Sequence, residues 1–597
     1  METTSLSDHN TSGNTGQISQ TPQTLERPQS LVYQPLDSSE GEDIRLLFLL
    51  PGNRQDPICC EIFHSGVQSG LDYEAVSYTW ATEDGDASLS QKIVCSYLGS
   101  LETTELAVTK NCASALRRLR NRTWIRTLWV DAICIDQANK EERGAQVRLM
   151  ADIFSRATQV LVYLGEEDLG FGSRGLWLDS DRRFAALKGL FAKRWVSRVW
   201  VIQEVALADK VMMITGDVVF HLSDDLLNRI RARARMYNLH TPGPLAWNPH
   251  VNAATRDLLS LLHISRNCLS TDPRDKVYGL LGLVGERVQS LIKVDYTQSV
   301  EEVLTRTAEA IIICREDLDI LAYASVSQGL KHADGSLPTW VPDWTEHRET
   351  TTLRPQFQSF ELGPWRSHRG SPYNTKLTTS YLTEQDWTQV ARIPANWDAS
   401  SPAKSFIRAR AHCIGTVDDI TRQIEGLETA WPLAAKFGHQ LMTTLKTTAE
   451  PALWPPAFQW LLTYSKPQEP PDEYPMPDEN GILPSVPVPV RVELGSLYTE
   501  LGRCEHDKYI FRAGHLPAVA TGCFDVGDTV WAVDGCNMPL ILRSVGGPDY
   551  KIRGNCQLFG LWHFDCWAES GRGDKREWNF DPFRRMDPLG TRTIDIY

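Results

Sequence analysis

The chain has no apolar run near the roughly 20 residues that a membrane-spanning helix requires. Leu46-Leu-Phe-Leu-Leu50 is too short, and Ile311-Ile-Ile-Cys314 belongs to an amphipathic pattern. Positive charge is not in excess either. The 61 Lys and Arg against 75 Asp and Glu leave a net charge of −14, which argues against nonspecific nucleic-acid binding through clustered cations. No glycine-rich phosphate loop is visible, so a nucleotide would be gripped differently from a Rossmann or P-loop site. Thirteen cysteines at scattered spacings make no disulfide framework and read as reduced thiols of a cytoplasmic protein. Cys504, His506, Cys523, Cys536, Cys556 and Cys566 lack the repeated close pairs of structural zinc, so no metal is expected. Residues 1–40, rich in Ser, Thr, Gln and Asn, lack the layout of a signal peptide and have little to bury. They are expected to form a disordered tail ending near Ser39. No internal repeat is found.

What is present is globular. The chain of 597 residues is 42% hydrophobic and 23% charged, which suits two or three domains. Across residues 41–216, short β-rich runs alternate with helical ones. Strand patterns fall at Glu74–Tyr78, Thr127–Ile135, Gln159–Leu164 and Val211–Thr215, and helical patterns at Thr109–Leu119, Lys140–Ala157 and Trp195–Ala208. Such alternation predicts a three-layer α/β domain on a mostly parallel sheet. A helical region is expected over 217–345, with helices at Ser223–Ala234, Thr255–Ile264 and Ser299–Cys314 and a short one following Pro273. Residues 346–466 read as mixed and mainly helical, with helices at Trp431–Thr448 and Ala457–Tyr464. Residues 467–489 form an acidic, proline-rich linker. Short strands separated by Gly and Asn turns over 490–597 predict a small β module.

One segment carries most of the functional information. Leu128-Trp-Val-Asp-Ala-Ile-Cys-Ile-Asp-Gln137 is an apolar run with an acid in its middle. An unpaired buried carboxylate costs several kcal/mol, so Asp131 requires a partner. Glu142 and Arg143 on the following helix are the expected surroundings, with Asp131 and Arg143 read as a structural pair. Asp136 and Gln137 lie where open α/β sheets build their crevices, unless they cap the helix beginning near Lys140. Downstream, Trp200 and Glu204 stand one helical turn apart, with Arg198 available to pair with Glu204.

Together with Tyr73-Glu-Ala-Val-Ser-Tyr-Thr-Trp80, these segments resemble the three motifs of the fungal heterokaryon-incompatibility (HET) domain. Asp272-Pro-Arg-Asp-Lys-Val-Tyr-Gly-Leu-Leu-Gly282 and Leu337-Pro-Thr-Trp-Val-Pro-Asp-Trp344 resemble segments that follow it, so the likeness spans roughly residues 40–345. The stretch Gly527–Arg543 adds a weaker echo of the endings of such proteins. The resemblance implies an intracellular protein of nonself recognition and regulated cell death. It would act with other protein chains, including copies of itself, and without nucleic acid, membrane segment or cofactor.

The HET domain is distantly similar to TIR domains, which implies a TIR- or flavodoxin-like fold. Enzymatic TIR domains cleave the nicotinamide bond of NAD with a glutamate in a Trp-x-x-x-Glu helix, a spacing that Trp200-Val-Ile-Gln-Glu204 matches. NAD would then be a substrate, with Glu204 beside the developing ribosyl cation and Trp80, Asp136, Gln137 and Trp200 around it. The competing expectations are a structural Glu204 and a noncatalytic interaction module. Single tryptophans are more often core than pocket wall, and Cys134, within the apolar run, is read as inert rather than nucleophilic.

Overall fold

The computed structural model describes residues 33–36, 43–171, 180–237, 239, 241–246, 257–324, 336–346, 391–392, 406–424, 508–513, 516–533, 536, 538–558 and 592–597. The first domain is built on nine strands. They are β1 (Asp43–Leu49), β2 (Cys59–Gly66), β3 (Glu74–Ser77), β4 (Gln91–Tyr97), β5 (Thr104–Val108), β6 (Arg126–Trp129), β7 (Gln159–Tyr163), β8 (Val211–Thr215) and β9 (Val218–His221). Their spatial order is β5-β4-β2-β1-β6-β3-β7-β8-β9.

The sheet is mixed, which corrects the expectation of a mostly parallel one. Strands β6, β3, β7 and β8 run parallel side by side. On one flank β1 pairs antiparallel with both β6 and β2, β2 pairs parallel with β4, and β4 pairs antiparallel with β5. On the other flank β9 folds back on β8. The pairs β1–β2, β4–β5 and β8–β9 are consecutive strands with no helix between them, and antiparallel neighbours need only a short connection. The parallel centre keeps its helical crossovers. These are α1 (Lys110–Leu119), α2 (Asp131–Cys134), α3 (Lys140–Arg156), α4 (Ser180–Ala192) and α5 (Trp200–Ala206).

Local chemistry sets these boundaries. Thr109 caps α1 by accepting from the Cys112 amide, and Cys112, Ala115, Leu116 and Leu119 form its buried face. Asn139, rather than Asp136 or Gln137, caps α3 through the Glu142 amide. The run expected as one strand over Thr127–Ile135 stops at Trp129, and Asp131 opens the single helical turn α2. The helix expected over Trp195–Ala208 is likewise divided, into a 3₁₀ turn at Arg194–Ser197 and then α5.

A helical region follows, with α6 (Asp224–Met236), α7 (Gly243–Ala246), α8 (Leu258–Ile264), α9 (Asp275–Leu281), α10 (Glu286–Leu291) and α11 (Val300–Arg315). Ser299 and Glu302 form a reciprocal capping box at the start of α11, which satisfies two orphan donors there. The third unit holds β10 (Ala391–Arg392), β11 (Phe406–Ile424), β12 (Lys508–Ala513), β13 (Leu516–Gly522), β14 (Thr529–Val533), β15 (Leu540–Gly546), β16 (Asp549–Leu558) and β17 (Arg592–Ile596). Strand β11 pairs with β12 through its later half and with β14 through its middle. That double pairing closes β11-β12-β13-β16-β15-β14 into a ring, which removes its free edges.

Strand β11 lies in the stretch expected to be mainly helical. Ile407, Ala409 and Ala411 are buried along it and Arg408 between them is exposed, a period of two. The helices expected at 431–448 and 457–464, and the linker, lie outside the described residues. So does most of the N-terminal tail, with one correction. Residues 33–36 are docked, because Tyr33 donates its hydroxyl to the Ile133 carbonyl at 3.0 Å and stacks against Arg45. One core cluster joins the helical region to the outside of the closed sheet, through Trp340, Trp344, Trp531 and Leu540 among others. Among the described residues, no helix is long and apolar enough to cross a membrane.

Candidate functional site

The carboxyl ends of β3 and β6 bring several of the expected residues together. Ser77 ends β3 and is buried, as are Tyr78 and Glu204. The Trp195 indole donates to Ser77 Oγ at 2.7 Å, and the Ser77 hydroxyl in turn donates to the Glu204 carboxylate. Glu204 is 4% exposed. Burial raises its pKa above the usual carboxylate range; Arg198 and the Ser77 hydroxyl oppose that shift, and Asp131 adds to it. Arg198 spends an Nη1 hydrogen on the Tyr78 carbonyl. It therefore steadies Glu204 through its field rather than by a direct ion pair.

Asp131 occupies the neighbouring position. Its Oδ2 accepts from the Trp80 indole at 2.8 Å, and its Oδ1 accepts from the Ala132 amide at 2.8 Å. Its pKa is raised by burial and held down in part by Arg198. Gln137 reaches back to donate to the Asp131 carbonyl at 2.9 Å. Trp80, Asp131, Arg198, Ser77 and Glu204 thus make one group around a single cation. The Tyr78 hydroxyl, buried beside them, has no hydrogen-bond partner at standard geometry.

The expected Asp131–Arg143 pair does not form. Arg143 lies over the Tyr296 ring, 4.5 Å from its centroid, facing the helical region. Glu142 takes a different cation. Arg45, fully buried in β1, donates to both Glu142 oxygens at 2.5 and 3.0 Å and to the Cys134 carbonyl at 3.1 Å. Burial pushes the Glu142 pKa up, but the hydrogen bonds and charge of Arg45 outweigh it and hold the carboxyl below its ordinary value. Asp136 donates its amide to Glu142 at 2.7 Å and accepts from the Ala138 amide. Arg45 was not anticipated, yet its signal was available. It is the lone cation inside Asp43-Ile-Arg-Leu-Leu-Phe-Leu49, and the argument applied to Asp131 applies to it equally.

Trp200 also leaves the group. Its indole donates to Asp275 Oδ2 at 3.2 Å. The ring lies against Gly279, where an added Cβ would stand 3.4 Å from it. The Asp272–Gly282 segment is therefore a clamp. Asp275 also accepts from the Tyr296 hydroxyl, and Arg274 donates to the carbonyls of Tyr296 and Gln298. A cavity of about 350 Å³ borders α5, lined by Ile202, Val205, Ala206, His221 and Leu222 among others, and Glu204 is not part of its wall. Cys134 is buried, and its thiol pKa is pushed up to about 12 by desolvation, which leaves it unreactive. Among the described residues, no group of three or more His, Cys, Asp or Glu is arranged to hold a metal ion.

Comparison with known proteins adds identity to this geometry. Residues 73–180 match the family model described as Heterokaryon incompatibility protein (HET). Over 482 residues the chain is 27% identical to heterokaryon incompatibility protein 6, OR allele, of Neurospora crassa. That alignment covers 65% of this chain and 66% of the relative, so the chain spans just under two thirds of the relative's length. No solved structure matches.

Proposed function

From the HET domain that this chain carries, we propose that it acts in heterokaryon incompatibility, with the α/β domain serving as a noncatalytic interaction module that signals cell death when chains are brought together. The observation that carries the choice of module over enzyme is the state of Glu204. Its carboxylate is 4% exposed and receives the Ser77 hydroxyl. Its pKa is raised by burial, so the neutral form is favoured relative to an ordinary glutamate. A carboxylate that stabilises a ribosyl cation has to be ionised and to face the sugar. In this protein the hydrogen-bond chain from Trp195 through Ser77 to Glu204 joins β3 to α5 and explains the burial without a substrate.

A second reading has its own observation. Trp80, Asp131, Arg198 and Glu204 converge at the carboxyl ends of parallel strands, where open α/β sheets place ligands. On that reading the domain cleaves NAD, with Glu204 beside the ribose and Trp80 against a base. One experiment separates the two. The full chain and its Glu204→Gln variant are overexpressed in a filamentous fungus, with growth arrest and nicotinamide release followed together. The interaction module predicts equal arrest by both and no nicotinamide release. NAD cleavage predicts release by the parent that falls in the variant on the order of 10²–10³-fold, with arrest lost in parallel. Arrest by neither chain excludes the cell-death role.

A further inference from the structure

Strands β3 and β6 pair with Glu74 opposite Leu128. Leu71 and Ile125 each lie three residues before that pair, so both reach the same, amino end of the central sheet. Leu71 is 45% exposed, Ile125 50% and Trp124 63%. The segment carrying the tryptophan is held in place. Gly52 donates its amide to the Asn121 carbonyl at 3.0 Å, and the Asn121 side chain accepts from the Thr123 amide at 3.0 Å. Arg126 clamps the two strand ends by binding Glu74 at 2.7 Å. Trp124 is therefore presented on an ordered turn, and an anchor already fixed loses little entropy on binding. Large aromatics of this kind dominate binding energy at protein interfaces.

The charges beside this patch are of both signs. Asp72 follows Leu71 and Arg122 precedes Trp124, and both are exposed. Among the described residues neither makes an ion pair within the chain, whereas the adjacent Glu74 and Arg126 satisfy each other. A surface with one free anion and one free cation around an apolar centre is complementary to itself. Two-fold pairing sets each Asp72 against the other copy's Arg122, the arrangement an isologous contact requires.

We propose that Leu71, Trp124 and Ile125, with Asp72 and Arg122, form the surface through which two copies of this chain associate. The proposal gives the interaction-module reading its partner and rests on that reading for its purpose. It lies at the opposite end of the sheet from Ser77, Asp131 and Glu204, so changes here leave that group intact.

The test is sedimentation velocity on the purified full chain over a concentration series. The parent is expected to show a reversible monomer–dimer equilibrium. Trp124→Ala, Asp72→Arg and Arg122→Glu are each expected to raise the dimer dissociation constant roughly tenfold or more. Far-ultraviolet circular dichroism identical to the parent would establish that each variant is folded. Mixing Asp72→Arg with Arg122→Glu restores both charge pairs in a heterodimer, and so does placing the two changes in one chain. Recovery of association in either case supports the surface. A parent that stays monomeric at every attainable concentration overturns the proposal, as does a dimer indifferent to all three substitutions. Because this readout uses purified protein and the incompatibility role is read in living cells, failure of one is distinguishable from failure of the other.

Discussion

Two buried charges of opposite sign set the behaviour of the domain in different ways. Arg45 has no exposure, and Glu142 completes it from α3. Arg45→Ala would leave Glu142 partly buried without its cation and is expected to cost about 3–5 kcal/mol. Urea denaturation would check this, and Arg45→Ala with Glu142→Gln is expected to recover part of the loss. Glu204 works in the reverse sense. A carboxyl whose folded-state pKa is raised binds its proton more tightly when folded. Its contribution to stability is therefore fullest below the ordinary glutamate value and declines as pH rises through the folded one. Glu204→Gln removes that titration. The stability of the variant relative to the parent is expected to increase from acid to neutral pH, measured by denaturation at a series of pH values. Parallel curves for the two proteins would show that Glu204 does not titrate in this way.

Helices α3, α5 and α9 meet at one glycine. A Cβ on Gly282, at the end of α9, would lie 2.7 Å from the Ala151 Cβ and 2.8 Å from Gln203 Nε2. Ala151 belongs to α3 and its Cβ cannot yield without moving that helix, whereas the end of the Gln203 side chain on α5 would have to swing aside. Gly282→Ala is expected to destabilise the protein by about 1–3 kcal/mol, read as a lower thermal midpoint. The cap of α11 offers a gentler change at the same scale. Ser299→Ala removes the hydroxyl that accepts from the Glu302 amide and is expected to cost about 1 kcal/mol. The contrast is physical. An orphan amide at an exposed helix end recovers water as a partner, whereas a methyl group between packed helices has nowhere to go.

Over the whole molecule, the docked piece near the N-terminus is the part most open to test. Tyr33 holds the Ile133 carbonyl, and Arg45 donates to the Gln34 carbonyl at 2.7 Å. A chain beginning at residue 32 is expected to melt like the full one. A chain beginning at residue 42 loses both contacts and the stacking of Arg45 on Tyr33, and is expected to be less stable by about 1–2 kcal/mol. Equal melting of the two truncated chains would show that this segment contributes nothing. The units behind the first domain are tied together in a similar way. Asn555 donates to the Ala322 carbonyl, and the Thr339 amide donates to the Tyr597 carbonyl at 3.1 Å.

Sequence by itself determined the local elements whose signals are local. The periodicities of α1, α3, α11, β7 and β8 are readable because side-chain spacing acts within a few residues. The need of Asp131 for a partner was readable too, since burying a charge is costly wherever it happens. Which partner it took was decided only in three dimensions. Its direct side-chain partner is the Trp80 indole, with Arg198 acting through its field, and these meet because β3 and β6 are neighbours; Arg143, closer in the chain, lies instead over Tyr296. The pairing of β1 with β6 and of β2 with β4, and the closure of the second sheet by β11 against β14, were likewise decided between segments distant in the chain. Backbone hydrogen bonding is indifferent to side-chain identity, so sequence encodes such pairings weakly. The same holds for Glu204, whose helix spacing was plain and whose burial behind Ser77 was not. Spacing is a property of one helix, while exposure depends on everything packed against it.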